Sequence, residues 1–430
     1  MDFSLSSSLV GSAVLNPDRL SLDLQFAADK ALTARKGPTP TFTRGSAGRF
    51  VGSDGLIQSA AVNTARFDYD PVTLACRGLL IEESRTNLLL RSEGLDASPW
   101  IQINTTTITS NNTTAPDGAT TAERFTVGAT TQAYGFFNST TSWTSGVTYT
   151  SSFFLKADQV TRVRISAGSQ ATHPISAIFD LTGNGSIVGT PTGTAYIERY
   201  ANGWYRCSVT ATSTATGLTS LRVTAVTGTN DNYPGNSVDS FWAWGAQNEV
   251  GAFATSYIPT VASSVVRSAD VCSITGSAFT GFYNPLEGSF ATSQIFNAPA
   301  TVTQGQVVFD VNDTTILNRT RLVRNATNGF MIYANTVNGT QDVAITGSTA
   351  MNAGAVTKFA GCMKANDFTI YLNNVSQGVD TVATMQSAPT TFTIGDASSG
   401  LTRVPLNGTI AAIRYFRKRL PNAKLQAFTV

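Results

Sequence analysis

Leu20-Ser21-Leu22-Asp23-Leu24-Gln25-Phe26 places an apolar side chain at every second position. That is the two-residue period of a half-buried β-strand, whose successive side chains point to opposite faces. Strand-like runs continue along the chain at Thr148-Tyr149-Thr150-Ser151-Ser152-Phe153-Phe154-Leu155-Lys156, at Trp204-Tyr205-Arg206-Cys207-Ser208-Val209-Thr210 and at Ser240-Phe241-Trp242-Ala243-Trp244-Gly245-Ala246-Gln247. Asn202-Gly203 and Gly217 punctuate them as turns. Further strands read at Gly288–Thr292, Gln306–Asp310, Gly329–Tyr333, Phe368–Leu372 and Gly408–Phe416, with turns at Asn338-Gly339 and Asn373-Asn374. Short strands at hairpin-like intervals predict antiparallel sandwiches. One short helix is expected over Pro421–Phe428, with Pro421 at or near its first turn.

Composition agrees with an all-β chain. Charged residues are 13% of the total, against about 25% in ordinary globular domains. Thr, Ser, Asn and Gly fill the surface instead, in runs such as Asn104-Thr105-Thr106-Thr107 and Ser139-Thr140-Thr141-Ser142. Such residues suit strands and turns and are poor in helix interiors. The length of 430 residues suggests two or three domains, at roughly 150 residues each. The expected order is a strand-rich attachment segment over 1–92, a sandwich over 93–260 and a second sandwich over 261–430. Residues 1–19 are Ser-rich and without period, as in a flexible arm or docking segment.

Several function classes lack their chemistry. The formal net charge of +2 supplies no field to steer nucleic acid. Arg414, Arg417, Lys418 and Arg419 form the densest basic cluster and read as a solvated strand end. No run of about 18 apolar residues predicts a membrane span. The start Met1-Asp2-Phe3-Ser4 has no signal-peptide pattern, so a protein made and kept in a cytoplasm is expected. Cys76, Cys207, Cys272 and Cys362 stand far apart without nearby histidine, which argues against zinc and for free, buried thiols, with disulfide pairings left open. The single histidine, His173, has no nucleophile signature beside it. Glu82 and Glu83 are consecutive and cannot share a strand face; an ion pair of one with Arg85 is expected. Asp310 and Asp313 read as a polar turn in preference to a cation site. No phosphate-cradling glycine loop is present. Neither an enzyme nor a cofactor is expected, and bound calcium is not legible in the residues.

Sugar binding on a β-scaffold needs aromatic faces for C–H surfaces and polar groups for hydroxyls. Five tryptophans are available. Trp242 and Trp244 share one face of their strand and Phe241 the other. Trp204 and Trp244 read as core residues. Trp143, in the turn-like Ser142-Trp143-Thr144-Ser145-Gly146, and Trp100, after Pro99, are the candidate carbohydrate contacts.

Residues 20–92 resemble a segment recurrent in structural proteins of tailed phages. The likeness lies in Leu32-Thr33-Ala34-Arg35, Thr41-Phe42-Thr43-Arg44, Asp54-Gly55-Leu56-Ile57, Arg66-Phe67-Asp68-Tyr69-Asp70-Pro71 and Gly78-Leu79-Leu80-Ile81-Glu82-Glu83-Ser84-Arg85-Thr86-Asn87-Leu88. Residues 93–258 resemble a jelly-roll carbohydrate-binding module, through Tyr149–Lys156, Gly203-Trp204-Tyr205-Arg206, Trp244-Gly245-Ala246-Gln247-Asn248-Glu249 and Ala254–Thr260. Residues 273–430 resemble a concanavalin A/laminin-G-like sandwich, through Phe368–Asn374 and Leu406–Phe416. These resemblances imply a fibre or adhesin component of a phage particle that binds host-surface glycan and contacts other virion proteins, as a homo-oligomer with a trimer favoured. A capsid-decorating or head-fibre protein and a tailspike-like polysaccharide depolymerase are the alternatives. Against the last, residues 273–430 hold one glutamate, Glu287, and no Glu-x-Asp-x-x-Glu pattern.

Overall fold

The structure is a computed structural model that describes residues 20–169, 171–299, 305–396 and 405–430. The Ser-rich stretch before residue 20 lies outside the described residues. The fold is all-β, as its alternation predicts, and consists of two antiparallel sandwiches.

One sandwich packs an eight-stranded sheet on a seven-stranded sheet. Phe290, Phe309, Tyr333, Phe359, Phe392 and Tyr415 fill the space between. The other packs two six-stranded sheets around Phe125, Phe136, Trp143, Phe153, Phe179 and Phe241. Strand Trp204–Thr212 shows why the sheets stack. Tyr205, Cys207 and Val209 enter this second core, while the alternate Arg206, Ser208 and Thr210 face away. The C-terminal helix forms over Asn422–Ala427 behind Pro421.

The expected boundaries at 92 and 260 need correction. The N-terminal strands are not a separate attachment segment. Leu20–Leu24 pairs with Gly408–Phe416, Cys76–Ile81 pairs with the same strand, and Thr41–Thr43 pairs with Val271–Thr275. Strands within residues 20–81 complete the C-terminal sandwich, and the jelly roll is inserted into it. Arg85–Asn87 pairs with Val265–Arg267 where the chain leaves and returns. Alternation reveals that a stretch is a strand, but not its partner, which here lies some 390 positions away. The same pairing explains why Asp23 is buried on an apparently half-polar strand: Arg414 of the paired strand meets it at 3.3 Å.

A buried charge network holds the junction. Asp270 accepts from Arg44 at 3.2 Å and from Arg66 at 2.5 Å, and Glu82 meets Arg66 at 2.8 Å and Arg267 at 3.6 Å. Burial by itself raises the Glu82 carboxyl. Arg267, Arg66 and the Ser256 hydrogen bonds outweigh it and hold the group at about 2. Glu83 is the partner of Arg85, as expected for one of the two.

Candidate functional site

The site grows from the outward face of one jelly-roll sheet. Thr194–Arg199 pairs with Trp204–Thr212, which sets Thr194 beside Thr210, Tyr196 beside Ser208 and Glu198 beside Arg206. The next strand continues these rows with Thr150, Ser152 and Phe154. The result is a ridge of hydroxyls, two aromatic rings, one carboxylate and one guanidinium on a single face.

The N-terminal strands and the loop over residues 252–257 stand opposite this face and enclose a cleft of about 330 Å³. Arg49, Phe50, Asp68 and Arg77 form one wall, and Asn297, Pro299 and Ala353 of the C-terminal sandwich form part of the rim. Tyr196 is 56% exposed, so its ring is free to meet a ligand. Arg77 bridges Asp70 at 3.0 Å and Glu198 at 3.2 Å, fixing the Glu198 carboxylate at the cleft wall. Asp68 is buried and accepts a hydrogen bond from the Val51 amide at 2.8 Å. Burial raises its carboxyl to about 7, against the pull of that amide and of Arg77.

This shift predicts a pH effect. The folded state holds the Asp68 proton above the pH at which the unfolded chain releases it. Its contribution is therefore fully present below about 3.8 and is lost as pH rises toward about 7. Asp68→Asn should flatten that part of the stability profile relative to wild type in denaturant titrations. Parallel profiles for the two proteins would contradict the assignment.

A second cleft, of about 460 Å³, lies across the Ala252–Phe253 loop and is lined by Glu83, Arg85, Gln306 and Asn407. Phe253 lies 5.0 Å under the Arg85 guanidinium there.

The two tryptophans expected to contact sugar are corrected by their burial. Trp143 lies in the strand Gly135–Trp143, not in a loop, and is 0% exposed. It stacks on Tyr149 at 4.6 Å and donates to Asn248 Oδ1 at 3.1 Å. Trp100 is 6% exposed, meets Phe136 and Phe153 edge-on, and donates to the Leu90 and Arg91 carbonyls. Polar neighbours in sequence misled the reading, because the flanking side chains point outward while the indoles point in.

Trp204 and Trp244 are buried as expected, but in a different place. With Phe154, Tyr200 and Tyr257 they form a second apolar layer outside the sandwich, closed by Val51 and Ile57 of the N-terminal hairpin. Trp242, on the same face, is half-buried and donates to Asn112 Oδ1 at 2.9 Å. His173 is a structural residue, buried against Trp143 with Nδ1 2.9 Å from Ser213 Oγ. Asp313 accepts from Thr315 and Asn318 in a turn, as read, and Asp310 is buried apart from it. All four cysteines are free; Cys207, Cys272 and Cys362 are buried, while Cys76 is only half-buried.

Tyr196 and Glu198 were not singled out in the sequence, and Arg206 was quoted only within the Gly203–Arg206 likeness, not as a site residue. The alternation of Arg206, Ser208 and Thr210 was a visible signal of a polar face. The opposing wall was not visible, since it comes from strands paired to the far end of the chain.

No family model and no curated protein matches this chain. Among solved structures it is similar to the CBM40 of Ruminococcus gnavus IT-sialidase bound to alpha2,3 sialyllactose. That match has 14% identity and a TM-score of 0.32, over 35% of this chain and 86% of that one. The NanB sialidase of Streptococcus pneumoniae matches at 14% identity and a TM-score of 0.31, over 36% of this chain and 26% of that one. A structure titled for the interaction of botulinum neurotoxin type C with two ganglioside molecules matches at 12% identity and a TM-score of 0.31, over 38% and 40% of the two chains.

Proposed function

We propose that this chain is a non-enzymatic structural component of a bacteriophage particle, a fibre or adhesin module, that binds host-surface carbohydrate in the cleft between its sandwiches. The observation that carries the glycan reading is the exposed Tyr196 ring, set on one sheet face among Thr194, Glu198, Arg206, Ser208 and Thr210. An aromatic ring takes the apolar face of a sugar, and fixed hydroxyls, a carboxylate and a guanidinium take its hydroxyls. The virion assignment rests on the resemblance of residues 20–92, the same residues that build one wall of the cleft. Other virion proteins are the proposed partners, in a trimer whose mass light scattering would report.

Tyr196→Ala should lower binding to the best glycan on an array about tenfold or more, with an unchanged melting temperature because the ring packs in no core. Undiminished binding would remove the cleft from the account. Labelled antibody on intact particles should land on the tail tip or baseplate. Labelling of the head would favour a capsid-decorating protein instead.

One observation favours hydrolysis as a second reading. Asp68, whose carboxyl burial raises to about 7, lines the same cleft as Glu198, and glycosidases work with a pair of carboxyl groups. Reducing ends released from a bound polysaccharide by wild type but not by Asp68→Asn would replace the non-enzymatic reading. No release supports it.

A further inference from the structure

Resting on the cleft as a glycan site, we infer that its ligand is an acidic saccharide whose carboxylate is received by Arg206. Arg206 is 9% exposed yet forms no ion pair among the described residues. Its guanidinium lies 5.4 Å over the Phe154 ring, one terminal nitrogen donates to Ser152 Oγ at 3.2 Å, and Nε has no hydrogen-bond partner among the described residues. The carboxylate placed to neutralise it, Glu198 across the ladder, is turned to Arg77 instead. A buried cation with donors unused is costly unless a counter-charge arrives.

The surroundings suit a sugar acid. Ser208 lies next along the same face, and Tyr196 stands beside Ser208 on the neighbouring strand. A pyranose resting on Tyr196 therefore places a substituent within reach of the Arg206 row. Arg49, half-buried on the opposite wall and without an ion pair among the described residues, adds a second positive group. The planar fork of an arginine matches a carboxylate with two parallel hydrogen bonds, and stacking on Phe154 holds it flat. Glu198 opposes an anion, but its charge is shared with Arg77, which also holds Asp70.

The test uses the full chain and an array of matched pairs. Each pair is a uronic-acid oligosaccharide and the same oligosaccharide with its carboxyl reduced to an alcohol. Wild type should favour the acidic member about tenfold or more, the worth of one charge-assisted hydrogen bond, and the preference should shrink as salt rises. Arg206→Gln should abolish the preference. Should Arg206→Gln not fold, Arg206→Lys keeps the charge but loses the fork and should lower the acidic-to-neutral ratio. Equal binding of both members to wild type, lost in Tyr196→Ala, overturns the acidic inference while the glycan reading stands. An unchanged ratio in the Arg206 variants also overturns it. Binding of neither member overturns the cleft as a glycan site, and the inference with it.

Discussion

Asp270→Ala is expected to lower the unfolding free energy by about 3–5 kcal/mol, because it removes the buried carboxylate that Arg44 and Arg66 share and leaves Arg66 with Glu82. Arg44 and Arg66 both direct nitrogens at this carboxylate, and the side chains in both pairs are 0% exposed. Asp270 also accepts the Glu82 amide at 2.8 Å, so the loss reaches the backbone of the strand end. The network ties residues 44–82 of the N-terminal part to residue 270, where the chain re-enters its first sandwich. A chemical denaturation midpoint at fixed slope reads the effect. Asp29→Ala, which removes the exposed pair with Arg35, is the control and should leave the midpoint in place. A midpoint for Asp270→Ala as high as that of the control would show that the network does not hold the junction.

Trp143→Ala should cost about 3–5 kcal/mol of stability, the range for deleting a large buried aromatic, and should leave the folded protein's glycan affinity unchanged. The ring is 0% exposed, stacked parallel to Tyr149, and its indole nitrogen is spent on Asn248. Removal opens a void next to His173 and leaves Asn248 Oδ1 without that donor. Binding lost with full stability would instead restore Trp143 as a contact residue and contradict its place in the core.

These two expectations show what was legible and what was not. The strand period in Leu20–Leu24 and Trp204–Thr212 was local information, and it predicted the all-β class correctly. The helix after Pro421 was likewise local. Pairing was not local: nothing in Leu20–Leu24 names Gly408–Phe416 as its neighbour. The insertion of one sandwich into the other was hidden for that reason, although the N-terminal segment itself was visible as strands.

The site was hidden by the same distance. A face with Tyr196 and Arg206 follows from alternation once the two strands are known to pair. Its depth depends on Arg49, Asp68 and Arg77, which stand more than 110 positions away in sequence. Trp100 and Trp143 failed as candidates because a polar neighbourhood in sequence says little about where an indole points. On a strand the polar neighbours of Trp143 and its own ring take opposite sides.

The most direct measurement is a crystal structure of the full chain with the tightest-binding glycan from the array. The account predicts a sugar ring lying against Tyr196 in the cleft between the sandwiches, with its polar groups toward Arg206 and Ser208. A sugar seated elsewhere, for example in the cleft of Glu83 and Arg85, with the Tyr196 face empty, would contradict it.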